Sequence, residues 1–253
     1  MSIVLITSNL KAEDFFNISL NLDSFSSKFL KEKESKFKFF SEHQDFSVIS
    51  NSFQQVLSFK RNKKGVNLVL KVGQFKKLAR KKEKPLKIYL EDTPFLNLTN
   101  PRVKKIASSF NKIKNKDNLL FEVEKFVYNY IQKKSYGIPL ISASDILQSR
   151  SGDCTEHSVL AVSLLRALKI PARALFGLVY EKKYQAQKNI FIFHMWVEAY
   201  YQKKWNLIDA TRSGAKKLNH YLALGYHDLQ TATPLSYLKT MATIQNLKIS
   251  YVP

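Results

Sequence analysis

The sequence predicts an α+β fold: a long buried helix packed on an antiparallel sheet, with a small β-rich region ahead of it. Three observations predict this. Between about residues 100 and 168, apolar residues recur at helical spacing, with capping residues where the runs begin. From Arg173 to Asp209 the pattern changes to extended, apolar-rich runs. The stretch up to about residue 95 carries short alternating runs and few helix signals. The expected organisation is a β-rich region over 1–95 and a helix-and-sheet domain over 96–253.

In the first region, residues 1–40 mix Phe and Lys with no clean period. Residues 46–59 suggest extended structure, and Val66, Leu68 and Leu70 alternate with Asn67, Val69 and Lys71 as a strand does. Leu86 to Leu90 is another short alternating run and predicts a strand. Pro94 and Pro101 mark a turn-rich junction. Helical spacing follows over 100–114, in Val103, Ile106, Ala107, Phe110 and Ile113. Asp117 or Asn118 can cap the next helix, whose apolar stripe is Leu120, Val123, Val127, Tyr130 and Ile131. Gly137 and Pro139 end it, and Ser142 or Ser144 can cap a short turn holding Ile146 and Leu147. Cys154 to Leu168 is apolar almost all round, which marks a buried helix, and Pro171 stops it. Strands are expected over 173–180, 190–200 and 205–209.

Cys154 is the only cysteine among 253 residues, and it stands after Gly152-Asp153 at the mouth of that buried helix. A helix start offers partial positive charge and unpaired N–H groups, which favour a thiolate. Taken alone, a cysteine on an apolar helix is a small buried hydrophobe. Two later residues change that reading. His194 can take the thiol proton, and Asp209 can fix the tautomer of the imidazole and stabilise its charged form. If Gln202 and Lys203 form the tip of a hairpin, paired residue numbers sum to 405. Trp196 then faces Asp209, with His194 diagonal to it on the same face, within side-chain reach. A sum of 403 would set His194 directly opposite Asp209, and 404 would put the two on opposite faces.

Gln148, six residues before the cysteine, is a candidate side-chain donor for an oxyanion, beside the Cys154 backbone N–H. His157 lies one turn beyond Cys154 and is read as packing or hydrogen bonding structurally. Trp196 is read as core or cleft wall. A zinc site built from Cys154, His157, His194 and Asp209 is disfavoured, because there is no paired cysteine and no His-Glu-x-x-His helix. No metal and no cofactor is expected.

The formal net charge of +21 comes from 41 basic against 20 acidic residues. Most of this is a solvated basic surface. Its functional counterpart would be an anionic surface or polymer met through the N-terminal region, where Lys60 to Lys64 and Lys76 to Lys82 are basic runs. No nucleic-acid motif accompanies them. No stretch reaches transmembrane length, and the first eight residues make a poor secretory signal. The chain as written is expected in the cytoplasm, or exported if a signal segment precedes it. One cysteine excludes an internal disulfide.

The motifs Ser151 to His157, Arg166 to Arg173, Phe193 to Glu198 and Trp205 to Thr211 follow one another in an order that resembles the transglutaminase-like superfamily. Within it, the chain is similar to bacterial transglutaminase-like domain proteins, through Tyr89 to Pro94 ahead of the helices and Asn219-His220 after the third motif. The resemblance spans about residues 86–224. It implies a papain-like transglutaminase core with Cys154 as nucleophile, His194 as base and Asp209 as orienter. It implies acyl chemistry on an amide through a thioester, on a protein or peptide substrate. Water as acceptor would make a peptidase or amidase, and an amine would make a cross-linking transferase. A binding module with a vestigial triad and a basic surface is the third possibility.

Overall fold

The computed structural model describes residues 18–75, 86–135, 140–212, 214–231 and 235–253. The first eight residues, the run Lys76 to Lys82, and Gly137 and Pro139 lie outside these. Among the described residues nine strands form one sheet: β1 (Ser19–Asp23), β2 (Glu34–Ser41), β3 (Gln54–Asn62), β4 (Gly65–Gly73), β5 (Ala172–Tyr184), β6 (Gln187–Tyr201), β7 (Lys204–Ile208), β8 (Tyr221–His227) and β9 (Lys248–Val252). Five helices accompany them: α1 (Pro101–Ser109), α2 (Leu119–Tyr130), α3 (Ala143–Ser149), α4 (Cys154–Ala167) and α5 (Leu235–Thr243). The sheet runs β3-β4-β2-β9-β1-β6-β5-β8, with β7 paired to β6.

The helices start where the sequence places caps. The Asn100 carboxamide oxygen accepts from Arg102 N at 2.9 Å, with Pro101 at the first helical position of α1. Ser142 accepts from the Asp145 N–H at the start of α3. Every residue of α4 from Glu156 to Arg166 is buried, as its all-round apolar sequence demands. Arg166 tolerates that burial by donating to Ala172 O at 2.9 Å and Glu91 O at 2.7 Å. The second bond ties the segment after residue 86 to α4.

That segment corrects one expectation. Lys87–Leu90 is a turn of 3-10 helix, with Leu86 and Ile88 exposed. Its alternation had no buried face to align with. Of the extended run expected over 46–59, the strand begins only at Gln54. In β2, Phe37 and Phe39 face the core and Lys36 and Lys38 face solvent, a period of two within the Phe/Lys mixture.

The strands before residue 95 join those after it. β1 pairs with β6 through Leu20 and Phe191, and β2 pairs with β9 through Phe37 and Tyr251. One apolar core runs from Phe37 and Leu70 through Val159 and Leu164 to Phe176 and Met241. A second cluster, Leu175, Val179, Trp196, Tyr221 and Ala223, fills the opposite face of β5, β6 and β8. Among the described residues no helix is long and apolar enough to cross a membrane.

Candidate active site

Cys154 is the first residue of α4. The turn before it depends on Gly152, whose φ of 157° and close approach leave no room for a side chain: a Cβ there would lie 2.3 Å from Glu156 Cβ. Asp153 caps the helix by accepting from Thr155 N at 2.9 Å, and Glu156 reaches back to the Asp153 N–H at 2.9 Å, completing a capping box.

The sulfur meets the sheet where β6 is uncovered. One edge of β6 is taken by β5 along its length, and the other by two strands in succession. β1 pairs with residues 190–192, and β7 with residues 197–201. The Phe193 N–H on that edge goes to Ile18 O at 3.0 Å. Two residues on, in the gap between the strands, the Met195 N–H stands near the Cys154 thiol and favours its charged form.

The β6–β7 pairs Val197 with Ile208 and Tyr201 with Lys204 set the register sum at 405. Asp209 follows directly after β7, and its Oδ2 lies 2.9 Å from His194 Nε2. A carboxylate only accepts, so Nε2 carries the proton and Nδ1 is the basic nitrogen of the neutral ring. His194 is 5% exposed and Asp209 1%. Trp196 lies nearly parallel to the imidazole, with centroids 6.3 Å apart and an interplanar angle of 19°. Gly177 pairs with His194 in the sheet, and a Cβ there would lie 2.8 Å from the Trp196 ring. Glycine at 177 therefore lets the indole lie beside the imidazole.

Asp209 is held by more groups than sequence reasoning finds. Tyr221 donates its hydroxyl to Oδ2 at 2.8 Å, and Arg212 Nε stands 3.2 Å from the same oxygen. Thr211 donates to Oδ1 from its N–H at 3.1 Å and its hydroxyl at 2.6 Å. The Asp209 N–H goes to Glu124 Oε2 at 3.1 Å, and Glu124 pairs with Lys216. Burial alone would raise the Asp209 carboxyl, but His194, Arg212 and Thr211 hold it far below the usual carboxylate range. Glu124 carried a sequence signal, as a carboxylate on the apolar stripe of α2 between Leu120 and Val127. Tyr221 carried none, because only the sheet brings it beside Asp209.

The net balance at the thiol is upward, against the lowering expected from a helix start. Burial pushes Cys154 well above its ordinary value, the Asp153, Glu156 and Asp209 charges add to this, and the Met195 N–H opposes it. The residue as a whole keeps intermediate exposure. His157 is structural: its Nδ1 donates to Asp153 O at 2.5 Å, and burial lowers it to about 4. Burial, then the Asp153 charge, raise Glu156 to about 8. Tyr237 on α5 stands near the thiol; burial, then Cys154, Asp153 and Glu156, push its phenol up.

Gln148 is not at this site. Ile146 and Leu147 take the buried positions of α3, which leaves Gln148 on the outer face. It lines a groove with Arg102, Lys105, Tyr130 and Arg150, apart from Cys154, His194 and Asp209. Asn219 and His220 also stand outside the site. Asn219 donates to Phe29 O at 3.2 Å and Ser35 Oγ at 3.0 Å, and the His220 ring packs on Phe29 and Tyr180.

A thiol at a helix start, with an imidazole and a carboxylate presented by an adjoining antiparallel sheet, defines the papain-like class of α+β folds. Residues 103–210 match the model of the transglutaminase-like superfamily. A candidate cysteine protease from Cytophaga hutchinsonii shares the fold at a TM-score of 0.51 and 18% identity, over 88% of this chain and 89% of that one. The periplasmic domain of TgpA from Pseudomonas aeruginosa does so at 0.50 and 16%, over 80% of this chain and 83% of that one. Among curated proteins there is no match.

Proposed function

We propose that this protein is a cysteine hydrolase that cleaves an amide through a thioester. His194 Nδ1 takes the proton of Cys154 as the sulfur attacks the amide carbon and forms the S–C bond. The imidazolium then returns that proton to the nitrogen as the C–N bond breaks and an amine leaves. Water, deprotonated by His194, releases the acid and regenerates the thiol. Because burial keeps the thiol protonated, proton transfer accompanies attack rather than preceding it. The Cys154 backbone N–H, at the first helical position, is a donor for the developing oxyanion.

The observation that carries this reading is the 2.9 Å bond between His194 on β6 and Asp209 just after β7, with the Met195 N–H of β6 near the thiol. Intact mass spectrometry after exposure to activated amides tests it. The expected result is an acyl adduct on Cys154 that decays in water and is absent from Cys154→Ala. Turnover that persists in Cys154→Ala removes the thiol mechanism. Adducts that discharge onto a labelled primary amine in preference to water would make the protein a transferase instead.

A further inference from the structure

We propose that the cleft between α2 and the β6–β7 hairpin binds an organic carboxylate with an aromatic or aliphatic body, and that its occupancy is felt at Asp209 through Glu124. The cleft encloses about 620 Å³, within the range of about 300–1,000 Å³ usual for small-ligand pockets. Its apolar wall includes Phe53, Phe75 and Phe121, and Phe121 is 51% exposed. That surface suits the body of a ligand.

The charge of the cleft favours an anionic group. Lys203 and Lys204 stand on the hairpin at the rim, and Lys216 is on the inner wall. The two lining carboxylates have internal partners: Asp117 accepts from the Gln202 amide, and Glu124 pairs with Lys216. The rim therefore presents ammonium groups in a protein whose net charge of +21 already attracts anions. The hairpin tip retains its side chains at some cost. Gln202 and Lys203 both have positive φ, 51° and 63°, where Asn-Gly is the unstrained choice. Gln202 uses that position to join the hairpin to Asp117 ahead of α2.

The link to the triad is short. Glu124 accepts the Asp209 N–H with Oε2 and holds Lys216 with Oε1. An anion that reaches Lys216 competes with Glu124 for it, and thereby acts on the residue that fixes the Asp209 backbone.

Tryptophan emission of the full chain, titrated with N-acetyl-phenylalanine, tests the site. Trp205 lines the cleft, and the signal reports occupancy whether or not Cys154 turns over. The expected result is a saturable change. Lys204→Glu, at an exposed position, and substitution of the neutral probe N-acetyl-phenylalaninamide should each weaken binding about fivefold. Saturation should also change the rate of Cys154 alkylation by iodoacetamide at least about twofold, with the half-maximal effect in Lys204→Glu shifted to about fivefold higher probe concentration. Absence of saturable change, equal binding of the neutral amide, or equally tight binding of inorganic phosphate overturns the site. Binding with an unchanged alkylation rate overturns the link to Asp209.

Discussion

Replacing Asp209 with Asn keeps the shape of the side chain and removes its charge. The single accepting oxygen must face His194 Nε2, the Tyr221 hydroxyl and Arg212 Nε, because all three are donors. The new NH2 group then takes the place of Oδ1 and meets the Thr211 N–H, whose 3.1 Å bond is lost. The Thr211 hydroxyl can turn and accept. The fold therefore bears one unsatisfied buried donor, at about 1–3 kcal/mol. The site loses the attraction between carboxylate and imidazolium. Two unit charges about 4 Å apart at an effective dielectric of about 20 interact by about 4 kcal/mol. Arg212 already draws on the same carboxylate, so about half of that is the expected loss, a factor of about 30 in rate. The assay is the rate of Cys154 alkylation by iodoacetamide near neutral pH, followed by intact mass, alongside circular dichroism. Asp209→Asn should react about 30-fold more slowly with its spectrum retained. A folded variant alkylated within about threefold of the parent would refute the role given to the Asp209 charge.

Stability should respond to pH through Glu156 and His157. Glu156 loses its proton near pH 4.5 in the unfolded chain and near 8 in the fold, so stability falls as pH rises across that interval. His157 takes up a proton near pH 6.5 when unfolded but only near 4 when folded, so stability falls as pH drops through that interval. The two effects oppose each other between pH 4.5 and 6.5, so urea midpoints should fall mainly between about pH 6.5 and 8; Glu156→Gln should remove that fall and leave a rise from about pH 4 to 6.5, and His157→Gln should extend the fall down to about pH 4.5. Gly152→Ala should cost about 2 kcal/mol or more, since the new methyl displaces Glu156 from the capping box, and alkylation of Cys154 should change with it. Arg173 and Glu198 form a buried ion pair at 2.6 Å. Arg173→Met should cost about 3–5 kcal/mol in denaturant unfolding, and adding Glu198→Leu should recover most of it.

The fold class was legible because the helices and strands after residue 100 follow their periods closely. The sequence left three hairpin registers open, and the one that follows from a tip at Gln202 and Lys203, with paired numbers summing to 405, is the one observed. What the sequence did not show depends on long-range pairing. β1 has five residues, and β2 breaks its own alternation with adjacent Phe39 and Phe40. α5 and β9 lie beyond the motifs and gained no expectation. Tyr221 and Glu124 reach Asp209 from β8 and α2, across long sequence separations, while Arg212 lies only three residues beyond it in the turn after β7. Gln148 had a suggestive spacing from Cys154, but its neighbours Ile146 and Leu147 outcompeted it for the inner face of α3. The position of Cys154 after Gly152-Asp153 did not reveal that burial, with Asp153, Glu156 and Asp209 nearby, raises the thiol.

β9 is made after every other strand yet lies between β2 and β1. During synthesis, the earlier strands must wait with open edges until residues 248–252 have left the ribosome. The thiol is translated about a hundred residues before β9, and so precedes completion of the sheet.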